Sequence, residues 1–453
     1  MLALLTLVVA ALLLFAYTGR PNLLYQTECA TIDSLRTYAF VLTGAPRETS
    51  RCRRYETQQR VLLYLRRDST VAPPQAGDTI IARTRIRRGG TIGAFDYGLY
   101  LRRQGIIGTA YAGRYILLPS ATPPRPPLQQ RLYQRLAAAG LQGDELATTA
   151  ALTLGYKEDL DPSLKHRFQA SGAAHVLAVS GLHTGIIYAL LLALLTLGGR
   201  YKPLFENRLH GVVLSLILIA ALWCYAWLTG LTPSVVRCAV MLTIVEIGRM
   251  IRRPAVSLNT IAAAAVLILF VRPLDLWSVG FQLSFAATAA IVVLARDFEP
   301  MLRRMQWRGT MGIVASWLVG TVIVSIAAQL GTLPITMGTF GQVSNYFLLT
   351  NLIVLPVTTL LVPCGLVTVA LGGCWLGRII GYATYSLAWL MNHSVTWIES
   401  LPGSVTYVHS NGLMAALLYA ALGMGWLTVH KSLWWLSGVI CALGAFCWFY
   451  AAG

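Results

Sequence analysis

The sequence predicts a polytopic α-helical membrane protein with a small extracytoplasmic all-β (OB-like) domain near its N-terminus. Three observations predict it. Of the 453 residues, 56% are hydrophobic and 12% are charged, about half the charge of a soluble domain. Apolar runs of about twenty residues, the length that crosses a bilayer, recur from residue 173 onward. Residues 18–135, by contrast, hold 19 Arg, no Lys and 7 acids, spread over short segments in which apolar and polar residues alternate.

Residues 1–17 form a short apolar run with no basic flank and no clear cleavage site, which predicts a retained transmembrane anchor. Residues 18–125 form the β domain. "TYAFVLTGA", "RVLLYLRR", "DTIIARTRIRR" and "GIIGTAYAGRYILL" have strand periodicity, and "APPQAGD" and "RRGGTIG" are turns between them. Five or so short strands in that length suggest a small barrel or sandwich, with an OB-like barrel the best match. "PPRPP" at 123–127 is a stiff terminator. Residues 126–172 read as amphipathic connecting helices lying along the membrane surface. Residues 173–453 read as a polytopic membrane domain, with spans near 173–198, 211–229, 234–250, 257–271, 275–295, 311–330, 346–370, 379–399, 411–428 and 432–451.

Loop charges orient these spans. Arg200, Lys202 and Arg208, then Arg249, Arg252 and Arg253, then Arg296, Arg303, Arg304 and Arg308, then Arg378, then Lys431 fall in every second loop. The loops at 230–233, 331–345 and 401–410 carry no Lys or Arg. Basic loops stay in the cytoplasm, so the N-terminus is expected there, with residues 18–172 and the C-terminus outside. The bacterial inner membrane is the expected location, with lipids as direct neighbours.

The formal charge of +18 is concentrated in the β domain as arginine, whose guanidinium matches phosphate geometry; a charged face beside lipid headgroups is the plainer reading. None of the 8 Cys forms a CxxC pair, and no His or Cys cluster has zinc-ligand spacing, so neither metal nor cofactor is expected. Cys29 and Cys52 are the two cysteines of the polar domain and are a candidate disulfide outside the cytoplasm.

Polar groups inside lipid carry free-energy costs that bundle interiors and aqueous paths relieve. Arg237 lies one turn into "PSVVRCAVM", where it either snorkels or lines water. Glu246, nine residues on, projects to the opposite side and is read as a near-interface residue beside Arg249. In "HVLAVSGLHTG" (175–185), His175 and His183 share a face if the helix is unbroken, and Ser180-Gly181 weakens that helix. They are either interfacial or packed histidines, or part of a cavity. Gln282 and Ser284 sit mid-span in "GFQLSF", where interhelical hydrogen bonding is the plain alternative. Residues 327–356, with Gln329, Pro334, Asn345 and Asn351, read as a broken helix with a re-entrant stretch.

"HVLAVSGLHTG", "LTPSVVRCAVM", "DLWSVGFQLSFAATA" and "GTLPITMGTFGQVSNYFLLTNLIVLP" occur in that order, and together they resemble the membrane domain of ComEC-type competence proteins. "GAFDYGLYLRRQGI" (93–106) resembles the end of that family's OB-like domain. The resemblance implies a channel that passes single-stranded DNA across the inner membrane during natural transformation. His175, Ser180, Gly181, His183, Arg237, Gln282, Ser284 and Asn351 then occupy motif positions that line or shape the pore. Arg85, Arg87, Arg88, Arg102 and Arg103 would hold the DNA backbone, with Tyr97, Tyr100 and Tyr111 stacking on bases. A periplasmic receptor and a cytoplasmic motor or single-strand-binding proteins are the expected partners. Many members carry a metallo-β-lactamase-like domain. No HxHxDH motif occurs in this sequence, so no nuclease activity is expected and a separate nuclease is the expected partner. Two other classes stay open: a solute or lipid transporter, and a membrane enzyme using His175 and His183 as acid–base groups.

Overall fold

The computed structural model describes residues 35–408, apart from 44–46, 49–51, 67–72, 88–90, 93–94, 99–100, 102–105, 121–127, 178, 197–207, 253–257 and 305–309, together with Tyr419. The chain divides into two compact units, residues 12–127 and residues 128–453, the latter joined by residues 1–11.

The first unit is all-β. A three-stranded sheet has the order β1 (Arg36–Val41), β5 (Thr79–Thr84), β10 (Ile116–Leu118). A five-stranded sheet has the order β2 (Arg47–Glu48), β3 (Cys52–Glu56), β4 (Val61–Arg66), β9 (Gly108–Ala112), β6 (Ile86–Arg87). β7 (Thr91–Ile92) and β8 (Phe95–Asp96) form a separate hairpin. Every pair in the two larger sheets is antiparallel except β4 with β9. The period-2 rule decides what is inside. On β4 Leu63 and Leu65 are buried while Tyr64 and Arg66 point outward, and on β5 Ile80 and Ala82 are buried while Arg83 is exposed. These residues join Phe40, Leu42, Tyr55, Val61, Ala110 and Ala112 in one core. Leu63 is fully buried there, so Leu63→Ala should remove about 2–5 kcal/mol of this unit's stability. Faster hydrogen exchange across β4 and β9 in the intact protein would show it; unchanged protection would contradict it.

The second unit is helical. Its elements are α1 (Leu128–Ala138), α2 (Gly143–Leu154), α3 (Pro162–Ala170), α4 (Ala174–Leu177), α5 (Gly181–Leu195), α6 (Arg208–Leu228), α7 (Pro233–Met250) and α8 (Leu258–Val271). A 3-10 turn at Pro273–Trp277 leads to α9 (Val279–Arg304), α10 (Thr310–Phe340), strand β11 (Gln342–Ser344), α11 (Phe347–Leu371), α12 (Trp375–Glu399) and strand β12 (Val405–Tyr407). Among the described residues, three stretches are long and apolar enough to cross a membrane: Leu209–Leu228, Val314–Phe340 and Phe347–Leu371. The expected anchor at 1–17 and the expected spans at 411–428 and 432–451 lie outside the described residues.

Two sequence expectations change here. Residues 128–170 do not simply lie along a surface. Nine of the twelve residues of α2 are buried, and Thr148 Oγ1 donates to Asn392 Oδ1 of α12 at 2.9 Å. The Ala-Thr-Leu composition of α2 gives it small faces on nearly every side, so it fits between long helices. A Cβ at Gly365 of α11 would lie 2.6 Å from the Thr153 methyl, and one at Gly381 of α12 would lie 2.6 Å from the Ala139 carbonyl oxygen.

Residues 327–356 are likewise not a broken helix. α10 continues through Gly331 and Pro334 to Phe340, and the turn to α11 is stitched by β11 pairing with β12. Gly331 serves close packing: a Cβ there would meet the Ala286 carbonyl oxygen at 2.7 Å and the Ala290 methyl at 2.5 Å. Gly331→Leu should therefore separate α9 from α10 and lower the thermal midpoint by several degrees, a test that Gly320→Leu, with open space around it, controls.

Candidate functional site: a buried cation beside an interrupted helix

The segment 174–195 breaks where the sequence weakens it. α4 ends at Leu177 and α5 starts at Gly181, with Ser180 in extended backbone as the N-cap. His183 takes the third helical position of a capping box. Its Nδ1 accepts the Ser180 backbone N–H at 2.8 Å and lies 3.0 Å from the Ser180 hydroxyl. A neutral ring accepting at Nδ1 carries its proton on Nε2. That Nε2 is buried and has no hydrogen-bond partner among the described residues. The two histidines have different surroundings: His175 is exposed and bonds the Gly172 carbonyl oxygen at 3.0 Å, while His183 is buried.

α7 brings the next residues to this point. Cys238 Sγ lies 3.4 Å from the Gly181 carbonyl oxygen, so the start of α5 packs on the first turns of α7. Arg237 beside it is 4% exposed. It donates from Nη2 to Ser234 Oγ at 3.0 Å, and its Nε has no partner among the described residues. Gly280, in the first turn of α9, leaves room for the guanidinium: a Cβ there would lie 3.5 Å from Nη2. Asp275 in the 3-10 turn acts on Arg237 through its charge. The Asp275–Gly280 segment thus meets Arg237 itself, while the Ser180-Gly181 segment meets its neighbour Cys238.

The other expected residues fall differently. Gln282 folds back on its own turn, donating Nε2–H to the Leu276 carbonyl oxygen at 3.1 Å. Ser284 is half-buried on α9. Asn351 lies in the first turn of α11, its Oδ1 buried and without a partner among the described residues; the adjacent Thr350 donates to the Ser171 carbonyl oxygen at 2.6 Å. No described hydrogen bond joins these three to the His183–Arg237 group.

Glu246 lies elsewhere on α7 and is completely buried. It accepts from Tyr188 Oη of α5, from Ser215 Oγ of α6 at 2.7 Å and from Arg249 Nη1 at 2.8 Å. Arg249 also donates to Tyr188 Oη at 2.6 Å. The expected Glu246–Arg249 neighbourhood is present, as a three-helix clasp rather than an interface contact. Sequence reasoning missed Tyr188, Ser215, Ser234, Asp275 and Cys238. An acid in an apolar run was the available signal for the first two, since it must find donors.

In the β unit one face gathers aromatics and arginines. In register across the five-stranded sheet, Arg54 faces Tyr64 and Tyr64 faces Tyr111. The two tyrosine rings stack with centroids 4.7 Å apart and planes 14° apart, and Tyr97 Oη lies 3.4 Å from Tyr64 Oη. Tyr111 is 59% exposed; Arg66, Arg85 and Arg87 are exposed on these same strands or at their ends. Arg88, Arg102, Arg103, Tyr100 and Cys29 lie outside the described residues. Cys52 opens β3 opposite Arg66. Among the described residues, no three His, Cys, Asp or Glu side chains gather in a way that could hold a metal ion.

These features define a helical membrane protein whose bundle buries a cation and several polar atoms that have no partner among the described residues, joined to a basic β unit. The chain belongs to the competence protein family, whose model matches residues 152–433. It is 27% identical over 329 residues to ComE operon protein 3 of Bacillus subtilis, covering 72% of this chain and 39% of that protein. It is 24% identical over 288 residues to Recombination protein 2 of Haemophilus influenzae, covering 62% of this chain and 35% of the relative. An uncharacterized protein of Aquifex aeolicus is 30% identical over 196 residues, covering 42% of this chain and 44% of its own length. The chain thus spans less than half the length of these curated relatives. No solved structure matches it.

Proposed function

We propose that this chain is an inner-membrane channel that passes single-stranded DNA into the cytoplasm during natural transformation, and that its β unit, OB-like in role, captures the strand outside. The observation that carries the reading is Arg237: a guanidinium buried in a bundle, whose Nε has no partner among the described residues, on the helix whose next residue, Cys238, packs on the start of the His183-bearing helix α5. Buried polar atoms without protein partners are costly unless water or a ligand satisfies them. A hydrated path meets that need, and its positive charge and N–H donors suit a passing phosphodiester.

The β-unit face supports the same reading. Stacked tyrosines flanked by arginines combine base stacking with backbone attraction, the two terms of sequence-independent single-strand binding. Polytopic insertion follows from the charge alternation of the loops. The uncharged segments 331–345 and 401–410, both assigned outside by that rule, are joined by β11–β12 pairing. A periplasmic receptor, a cytoplasmic motor or single-strand-binding proteins, and a separate nuclease are the partners this role requires.

The reading is tested on the full chain in nanodiscs. Binding of a single-stranded oligonucleotide should weaken steeply with salt, and Arg85→Ala with Arg87→Ala should reduce the slope of log affinity against log salt by roughly 0.7 per lost phosphate contact. Tyr111→Ala should weaken binding with little change in slope. A salt-independent affinity, or none, would contradict the capture role. Transport of a small solute or lipid is the alternative that Glu246 favours, since a buried acid marks coupled transporters. Its carboxylate, however, is occupied by three donors.

A further inference from the structure

We infer that the cleft between the α1–α2 turn and the start of α12 is a binding site for the phosphate headgroup of an anionic membrane lipid. The cleft has a volume of about 590 Å³ and is lined by Ala138, Ala139, Gly140, Gln142, Arg378, Tyr382 and Tyr385. This lining has two chemistries. Arg378, Gln142 and the two phenols supply N–H and O–H donors. The alanine methyls and Gly140 supply a small apolar floor. Arg378 is exposed, and no described residue forms a salt bridge with it. The acids of the α2 first turn, Asp144 and Glu145, form no ion pair with it either, which leaves its fork open for an anion.

The position of the cleft identifies the anion as a lipid's. α1 starts beside the α6–α7 turn, where Gln129 packs on Gly230. The other end of the hairpin meets the α11–α12 turn, with Ala138 against Gly373 and Ala139 against Gly381. The chain then returns, so that Gly172 packs on Ser344 and Phe347 at the opposite end of α11. α11 has 25 residues, about 37 Å at 1.5 Å per residue, the depth of a bilayer with part of its headgroup layers. The α1–α2 turn therefore sits at the α11–α12 end of α11, the face to which loop charge assigns Arg378, and not on the side expected for residues 18–172. Trp375, Ile379 and Tyr382 next to the cleft are 70%, 59% and 75% exposed, an aromatic-rich collar of the kind that sits at headgroup level. A cation in a cleft between helices at that face suits an anionic headgroup, with acyl chains running along the exposed side of α12.

The inference rests on the membrane placement proposed above but not on DNA transport, and its test reads lipid alone. The full chain is purified in mild detergent, exposed to mixed vesicles of phosphatidylglycerol and phosphatidylcholine, and examined by native mass spectrometry. Phosphatidylglycerol should be retained in preference. Arg378→Ala should reduce that preference about tenfold, as loss of a charge-assisted contact implies. Arg378→Lys should keep part of it, and Arg252→Ala should change nothing. Unaltered thermal midpoints establish that the variants are folded. Equal retention of the two lipids, or a preference that survives Arg378→Ala, overturns the inference. So does competition by inorganic phosphate at equal concentration, which would make the site one for a soluble anion. A strain carrying Arg378→Ala that loses lipid preference yet still takes up DNA separates this site from the transport reading.

Discussion

Glu246→Ala should destabilise the helical unit by about 3 kcal/mol, at the lower end of what breaking a buried ion pair costs. The carboxylate is fully buried and satisfies three donors on α5, α6 and α7. Removing it leaves Ser215 Oγ and Tyr188 Oη buried with a lost acceptor, each worth about 1–3 kcal/mol. Arg249 softens the loss, because its side chain is 30% exposed and reaches water on its own. Glu246→Gln keeps an acceptor for two of the donors and should cost less than half as much. Thermal unfolding in detergent checks both. An unchanged midpoint for Glu246→Ala would mean that the clasp does not hold the three helices together.

Arg237→Ala should have the opposite signature: DNA uptake falls to background while the protein accumulates normally and its thermal midpoint stays level or rises. The reasoning is energetic. Arg237 is 4% exposed and makes one described side-chain hydrogen bond, to Ser234. Burying a charge that one described hydrogen bond and the charge of Asp275 only partly offset opposes folding, so its removal relieves a cost. On the proposed function, a passing phosphodiester would offset that cost. Arg237→Lys keeps a charge but loses the planar fork, and partial uptake is expected. Transformation frequency in a competent host lacking its own family member, alongside immunoblots, measures this. Uptake unchanged in Arg237→Ala would remove the cation from the path.

These two arginine and glutamate sites show where sequence reading reached and where it stopped. Helix positions were legible because apolar length is a direct signal, and α6, α7, α8 and α11 fall within a few residues of the expected spans. The alternating strands around Leu63 and Ile80 were legible for the same reason: period 2 sorts inside from outside. The break at Ser180-Gly181 was visible as a weak helix point. Its consequence, that His183 caps α5 and is buried while His175 stays exposed, was not, because the capping box uses a histidine where Glu or Gln is usual.

What failed were inferences about partners. Small, weakly polar residues look amphipathic in α2, but Gly365 of α11 opens the space that its Thr149 and Thr153 methyls fill. Pro334 looks like a helix breaker, yet α10 continues through it. Gln282 looked poised to bridge helices and bonds its own turn instead. The meeting of Arg237 with Gly280 and of Cys238 with Gly181 depends on contacts across residues 181–280, which no local pattern encodes.

The central claim is that the junction around Ser180, His183 and Arg237 faces water. It is tested most directly by Ser180→Cys in a background whose native cysteines are replaced. A membrane-impermeant thiol reagent applied outside intact cells should modify position 180 at a rate comparable to Asn345→Cys in the β11–α11 turn, and single-stranded DNA should slow it. Modification only by a lipid-permeant reagent, at the rate of Leu216→Cys on the exposed side of α6, would contradict the account.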